Sequence, residues 1–308
     1  MKDIIISLDY ELRWGMDIVY GDSLDRSSEH IKNTPLVIKK MIALLNKYEI
    51  KSTWASVLAI SMDSWGEYFE VLDKYCIDPE QKHYGHSLKF HNEDIYKDYY
   101  FSQNSFNYII NSDNAEIGSH SFRHTYFGED AYSKEDFILD NKICSDILAN
   151  KFNINKYCYV FPRNQVVYED CFDNNIIYGY RAIPSIYGYK NTTSKSNNKF
   201  LVKASRLAND ILPFTTKLSE QQDFLSVGDI HVRFNLPDSL WKIQLLKIDL
   251  LLKNSDGDNS TSIHLWWHPH NISISPYKNL VRFEQLLKLL SKNIKDGRAR
   301  SSFMSEVV

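Results

Sequence analysis

Two histidines, His120 and His124, are the first residues whose types and spacing could do chemistry. They lie in the stretch EIGSHSFRH, which reads as a short strand running into a polar segment. If that segment is helical, residues four apart lie on one face with Cβ atoms about 5–6 Å apart. Both side chains could then bind one zinc ion at about 2.0–2.1 Å. The alternative interpretation is a pair of polar residues that cap a helix.

Two carboxylates follow the first predicted strand. Asp9 and Glu11 come at the end of an apolar run that includes Ile4 and Leu8. Residues i and i+2 of a strand point to the same face, so both carboxylates can enter one pocket. Two histidines and one carboxylate form a three-ligand set that leaves a metal position open for water, as in catalytic zinc sites. A second carboxylate beside the metal could accept a proton as general base.

Two further polar segments follow predicted strands. Phe161–Arg163 ends the strand YCYVF, and His268–His270 follows the strand SIHLWW. An arginine near a carboxylate keeps that carboxylate ionised, and a histidine on the opposite wall could protonate a leaving amine. Together the four segments predict metal-assisted hydrolysis of an amide.

The elements that must position these residues alternate between strands and helices, which favours a (β/α) barrel. Strands are predicted near residues 4–8, 50–58, 115–118, 157–161, 180–183, 229–234 and 262–267. Helices are predicted over residues 34–48, 133–150, 218–225, 239–252 and from 275 onward. The pattern predicts a distorted (β/α)7 barrel of the α/β class, a single domain over residues 1–308 with an irregular, aromatic-rich insertion at about 59–114. A doubly wound open sheet is the alternative.

Composition argues against several function classes. The net charge of −3 gives no polybasic surface for nucleic acid. No apolar run approaches the ~20 residues of a membrane span, and the N-terminal strand is too short for a signal peptide. The cysteines form no CxxC pair and are expected to be reduced and buried, at Cys76, Cys144, Cys158 and Cys171. These features predict a cytoplasmic protein without stable membrane insertion, and they leave the oligomeric state open.

Aromatic residues make up 14% of the chain, with 20 Tyr and 6 Trp, which suits a protein that stacks on sugar rings. Trp14 and Trp267 are candidate walls of such a site. Trp266 and Trp267 point in opposite directions on a strand, so at most one of them is expected to line the pocket. His270 is a further candidate for contact with substrate.

At these residues the chain resembles the polysaccharide deacetylases, the family 4 carbohydrate esterases that include nodulation-type chitooligosaccharide deacetylases. The matching stretches occur in the family's order and are SLDYELRWG, STWA, HSFRH, FPR and HLWWHPHN. The DxE-x-x-WG start resembles a subgroup associated with bacterial surface polysaccharides. The resemblance implies a distorted (β/α)7 barrel and a divalent metal ion, usually Zn²⁺.

The resemblance also implies roles for individual residues. The metal ligands would be Glu11, His120 and His124. The catalytic residues would be Asp9 as general base, Arg163 as the residue that orients Asp9, and His268 as general acid. His270 competes with His268 for the acid role, and the position of His268 directly after the apolar strand favours His268.

These observations predict a hydrolase that removes an N-acyl group, first of all acetyl, from an amino sugar. The expected substrate is a bacterial surface glycan or its lipid-linked or nucleotide-linked precursor. The alternatives are a deformylase of a formamido sugar, an allantoinase-like amide hydrolase, and a barrel that binds glycan without turnover.

Overall fold

A parallel sheet of nine strands organises the fold. The computed structural model describes residues 1–15, 29–78, 96–129, 132–182, 199–212, 224–253 and 262–308. The strands are β1 (Lys2–Tyr10), β2 (Ser52–Ser56), β3 (Ala115–Ser119), β4 (Tyr157–Val160), β5 (Ile177–Ala182), β6 (Leu225–Val227), β7 (Ile230–His231), β8 (Ser262–Trp267) and β9 (Ala299–Ser302). Each recorded strand pair is parallel. Parallel neighbours need crossover connections, so the carboxyl ends of the strands gather at one end of the sheet.

Helices flank this sheet. They are α1 (Glu29–Lys32), α2 (Thr34–Tyr48), α3 (Trp65–Lys74), α4 (Lys97–Tyr100), α5 (Gln103–Ile110), α6 (Lys134–Phe152), α7 (Lys199–Ile211), α8 (Asp238–Lys253), α9 (His270–Ser273) and α10 (Pro276–Lys295). The start of α6 shows how the sequence sets such boundaries. Ser133 and Asp136 form a reciprocal capping box, and Asn153 ends the helix in the left-handed conformation.

The order of the strands requires the sheet to curl. The order is β6-β5-β4-β3-β2-β1-β8-β7, so β6 and β7 lie at its two ends. Only Gly228 and Asp229 separate these strands in sequence. Three residue steps span at most about 11 Å, and the two ends of the sheet must therefore meet. This closure confirms the predicted distorted (β/α) barrel and removes the open sheet as an alternative.

The last strand, β9, pairs with the amino-terminal half of β1, at the end of the barrel opposite Asp9. Residues Lys2–Ile5 of β1 pair with β9, and residues Ser7–Tyr10 pair with β2. Because β8 occupies the other side of β1, β9 and β2 lie in line along one side. The carboxyl end of β1, where Asp9 lies, is thus bordered by β2 and β8.

Several predicted elements differ from the structure. The strand predicted at 50–58 ends at Ser56, because a 3-10 turn (Leu58–Ser61) follows it. The strand predicted at 229–234 is shorter in the structure, where it is the two-residue strand β7, and β6 before it was not predicted. Most of the helix predicted at 218–225 lies outside the described residues, and its last residue begins β6. The predicted insertion contains α3, α4 and α5, and its residues 79–95 lie outside the described part of the chain.

Two expectations from composition can also be compared with the structure. Cys144 and Cys158 are buried as expected, whereas Cys76 is exposed and Cys171 is half-buried. Within the described ranges, every helix is too short or too polar to cross a bilayer.

Candidate metal centre and active-site cavity

The carboxyl end of β1 brings two carboxylates into one cavity. The strand is buried over its whole length, so Asp9 and the following Glu11 lie almost out of contact with solvent. Both line a cavity of about 660 Å³, as their i, i+2 spacing predicts. Cavities of about 300–1,000 Å³ are typical of small-molecule sites.

The histidine segment after β3 is a turn, so the helical arrangement considered for it is wrong. Ser121 and His124 have left-handed backbone conformations, with φ of 70° and 60°. The buried carboxylate of Asp140 holds this turn by accepting hydrogen bonds from Ser121 Oγ at 3.0 Å and from the Phe122 amide at 3.1 Å. The turn still brings the His120 and His124 rings together, with centroids 4.9 Å apart.

Three side chains converge at this point. Glu11 Oε1 lies 3.8 Å from His120 Nε2 and 3.7 Å from His124 Nε2. One ligand atom from each of the three residues lies within 4.8 Å of the others. Ligand atoms around a tetrahedral zinc ion lie about 3.3 Å apart, since each is about 2.0–2.1 Å from the metal. Small side-chain adjustments would therefore let Glu11, His120 and His124 share one ion.

The two histidines have the character of metal ligands. His120 Nδ1 donates to the Val160 carbonyl oxygen at 2.7 Å, which fixes the tautomer and leaves the Nε2 lone pair facing Glu11. Both ring nitrogens of His124 are buried without a hydrogen-bond partner among the described residues. Burial lowers the pKa of His124 to about 3, so its imidazole is neutral. A neutral, buried imidazole without a hydrogen-bond partner fits a metal ligand.

The position of Gly15, four residues after Glu11, has no room for a side chain. A Cβ atom at this position would lie 1.8 Å from Glu11 Oε2 and 3.0 Å from His124 Cε1. The missing side chain therefore makes room for the carboxylate beside the imidazoles.

Arg181 holds the second carboxylate. Arg181 Nη1 donates to Asp9 Oδ1 and Arg181 Nη2 to Asp9 Oδ2, each at 2.7 Å. The guanidinium also donates to Ser7 Oγ at 2.8 Å and to Asn164 Oδ1 at 2.9 Å. Burial by itself would raise the pKa of Asp9, but the charge and hydrogen bonds of the Arg181 guanidinium outweigh it and lower that pKa. Asp9 is therefore an ionised carboxylate that is almost completely buried.

The prediction that Arg163 orients Asp9 is wrong in its geometry. Arg163 follows β4 in a left-handed conformation, with φ of 54°. Its Nη1 lies 3.6 Å from Glu129, and its guanidinium lies 5.0 Å from the ring centre of Tyr126. The residue after the predicted segment, Asn164, accepts a hydrogen bond from the Arg181 guanidinium that pairs with Asp9. Arg181 could have been suspected from the sequence, because it is a charged residue on the alternating strand IYGYRA.

His268 and His270 both line the cavity but differ in charge. His268 Nε2 lies 2.8 Å from Glu11 Oε1 and 3.9 Å from Asp9 Oδ2. Burial lowers the pKa of His268, yet the two carboxylates outweigh it and raise that pKa. Burial lowers the pKa of His270 to about 3, and the His268 charge acts in the same direction. Of the two, His268 is the one poised to carry a proton.

Asp9, Glu11 and His268 form a second group with metal-ligand spacing. Glu11 belongs to this group and to the group with His120 and His124, so one ion at Glu11 would be bound by one group or the other. His268 has a raised pKa and an ion-pair contact with Glu11, whereas His124 is neutral and lacks a hydrogen-bond partner. The donor chemistry therefore favours Glu11 with His120 and His124.

The predicted tryptophan walls are placed differently in the structure. Trp14 is fully buried, donates from Nε1 to the Tyr100 carbonyl at 2.8 Å, and packs beside Trp65 and Tyr68. Trp267 is also fully buried, with its ring centre 5.5 Å from that of Phe234.

Trp266 lines the cavity instead, because β8 turns alternate side chains to opposite faces. Its ring stacks on His231 at 4.3 Å between centroids, and the Arg181 guanidinium lies 4.6 Å from its centre.

Further parts of the cavity were not anticipated from the sequence. They come from α7, from the end of β7 and from the turn after β3, and the residues are Tyr126, Lys203, Arg206, Leu207, His231 and Arg233. The motifs contained no signal for them, because their position depends on the curl of the sheet.

Comparisons with known proteins give low similarities. No family model and no curated protein matches this chain. The CE4 domain of a multidomain xylanase from the hindgut metagenome of Trinervitermes trinervoides aligns over 99% of this chain and 89% of its own, with 10% identity and a TM-score of 0.44. A candidate polysaccharide deacetylase from Mycobacterium smegmatis gives the same coverages and identity with a TM-score of 0.49. A mutant of a CE4 family pseudoenzyme with restored activity covers 99% and 67%, with 11% identity and a TM-score of 0.39. Values this low assign neither a family nor an activity to this chain.

Proposed function

We propose that this chain is a metal-dependent hydrolase that removes an N-acyl group, with acetyl as the first candidate, from an amino sugar. The observation that carries the proposal is the convergence of Glu11, His120 and His124 within 4.8 Å, beside an Asp9 that Arg181 keeps ionised. A divalent ion, with Zn²⁺ as the first choice, would polarise the acyl carbonyl and lower the pKa of water at this site.

Asp9 is suited to be the general base. Each carboxylate oxygen offers two lone pairs, and Arg181 uses one on each oxygen. The remaining lone pairs can accept a proton from the attacking water. The fixed guanidinium holds the carboxylate in one orientation, so little reorganisation is needed when the proton moves.

His268 is suited to be the general acid. Glu11 and Asp9 raise its pKa, which favours the protonated imidazole, and its side chain is 23% exposed at the cavity. A departing amine nitrogen needs a proton when the amide C–N bond breaks, and a protonated imidazole at this wall can supply it.

The cavity favours a substrate larger than the amide group alone. The Trp266 indole and the Tyr126 phenol both line it, and such rings bind the apolar faces of sugars. A bacterial surface glycan or its lipid-linked or nucleotide-linked precursor remains the predicted substrate, as the sequence motifs suggest.

The test is release of free amine from N-acetylated amino sugars by the zinc-loaded protein. We expect His120→Ala to lose both bound zinc and activity, and Asp9→Asn to keep zinc and lose turnover. Release of formate from a formamido sugar, with no acetate from the acetyl analogue, would identify the deformylase. A zinc-loaded protein that binds these sugars and releases no amine would refute the hydrolase and leave the glycan-binding barrel.

A further inference from the structure

Four positively charged side chains line the same cavity as the candidate metal centre. They come from three separate segments and are Arg163 after β4, Lys203 and Arg206 on α7, and Arg233 after β7. We call these four residues the basic wall. The proposed hydrolysis uses none of them, so they need another explanation.

Two members of the basic wall are held in place by buried carboxylates. Arg233 Nε donates to Asp210 Oδ2 at 2.7 Å, and Asp210 is fully buried at the end of α7. Arg163 Nη1 lies 3.6 Å from Glu129, with Tyr126 beneath the guanidinium. The two arginine side chains remain 29% and 30% exposed. Each guanidinium is thus fixed at one edge while part of it faces the cavity, which lowers the entropy cost of binding an anion.

The carboxylates that line the described part of the cavity already have positively charged or imidazole neighbours. Its carboxylates are Asp9 and Glu11. Arg181 already pairs with Asp9, and three imidazoles surround Glu11. The field of the cations also reaches His231, whose pKa is lowered first by burial and then by Arg233, His268, Arg181 and Arg206.

From this arrangement we propose that the amino-sugar substrate carries a phosphate ester, which the basic wall binds. A phosphate carries about −1.5 to −2 charges and three acceptor oxygens, so it can use several donors from different directions. Planar guanidinium groups match phosphate oxygens in pairs, and a lysine adds a point charge. A carboxylate offers one charge and two acceptor oxygens, and a phosphate therefore matches four cations from three segments better. The inference rests on the proposed function, because it names the substrate class of the same cavity.

The test compares the affinity of each sugar with and without its phosphate. Zinc-loaded protein is titrated by calorimetry with N-acetylglucosamine 1-phosphate and N-acetylgalactosamine 1-phosphate, and with the two neutral sugars. We expect the phosphate to tighten binding at least about tenfold, the equivalent of one hydrogen bond to a charged group.

Two variants test whether the basic wall provides this gain in affinity. Arg233→Gln removes a fixed guanidinium. Lys203→Gln changes an exposed residue, so it should leave the stability of the fold unchanged. Each should weaken binding of the phosphorylated sugars by about tenfold and leave the neutral sugars unchanged. Arg298→Gln is the matched control, because Arg298 is a partly exposed arginine paired with Asp296 at 2.7 Å and lies beside the amino end of β1.

Equal affinity for phosphorylated and neutral sugars, or phosphate binding that both wall variants retain, would overturn the inference. Because binding needs no turnover, this failure is distinct from failure of the hydrolase proposal, which would show as phosphate binding without amine release. Uridine diphosphate N-acetylglucosamine and N-acetylglucosamine on a prenyl pyrophosphate in detergent micelles then distinguish the sources. Tighter binding of either one supports the inference and names the carrier.

Discussion

Replacing Arg181 with glutamine should disable the general base while leaving the candidate metal ligands intact. Arg181 makes both short contacts to Asp9, and the two side chains are 0% and 3% exposed. Glutamine carries no charge, so the variant leaves a buried carboxylate without its strongest counter-charge. Burial then dominates and raises the pKa of Asp9, which the guanidinium now holds below its ordinary value.

The direction of the effect follows from burial. Burial is the largest single influence on the pKa of Asp9, and less positive charge opposes it once Arg181 is gone, so we expect that pKa to rise. Asp9 works as a carboxylate, so activity is lost as the pH falls through its pKa. A higher pKa therefore moves the acid limb of the kcat profile to higher pH. Below the raised pKa, where Asp9 is protonated in the variant and ionised in the native protein, turnover should fall by about 10²–10⁴-fold, the usual contribution of a general base.

The assay is amine release by zinc-loaded protein between pH 4 and 9, with zinc content measured on each sample. Arg298→Gln should keep the native profile. Arg163→Gln should leave the acid limb in place, because its guanidinium contacts Glu129 and Tyr126. If Arg163→Gln moved the acid limb and Arg181→Gln did not, the assignment of the orienting arginine would be refuted.

Three further substitutions test other parts of the site. Gly15→Ala should lower the zinc affinity at least about tenfold, the effect of losing a group that supports a metal ligand. The reason is that the added Cβ would lie 1.8 Å from the Glu11 carboxylate. Gly66→Ala is the control, because its Cβ would lie 3.5 Å from the nearest atom. His268→Gln should keep zinc and reduce kcat by about 10²–10⁴-fold. The native kcat should fall as the pH rises through the raised pKa of His268, and the variant should lack that basic limb. Trp14→Ala should lower the free energy of unfolding by about 3–5 kcal/mol in urea titrations, since Trp14 is fully buried, and equal stability would contradict the packing described.

Local sequence predicted the parts of the site that depend on one segment. Asp9 and Glu11 lie two residues apart at the end of a strand, so their shared direction follows from strand geometry. His120 and His124 were expected to be close because of helical spacing. They are close because Ser121 and His124 adopt left-handed conformations that Asp140 stabilises. The proximity was predictable, and the backbone that produces it depends on a distant residue.

The parts that sequence could not predict depend on the order of the strands. Arg181 lies 172 residues from Asp9 in sequence, and the two meet across the interior of the curled sheet. The choice between Trp266 and Trp267 depends on which face of β8 turns inward, and two adjacent tryptophans carry no signal for it. Strand β9 reads ARSS and lacks the apolar run by which strands such as β1 and β8 were predicted.

The two-residue link between β6 and β7 has a consequence for how this protein can change. A Cβ atom at Gly228 would lie 3.0 Å from Trp266 Cδ1 and 3.1 Å from Arg181 Cδ. This glycine of the link therefore leaves space for the stem of the Arg181 guanidinium that pairs with Asp9. A larger residue at position 228 would displace Trp266 or Arg181, and it would thus change both the packing of the barrel and the position of Asp9. We therefore expect few substitutions to be tolerated at this link.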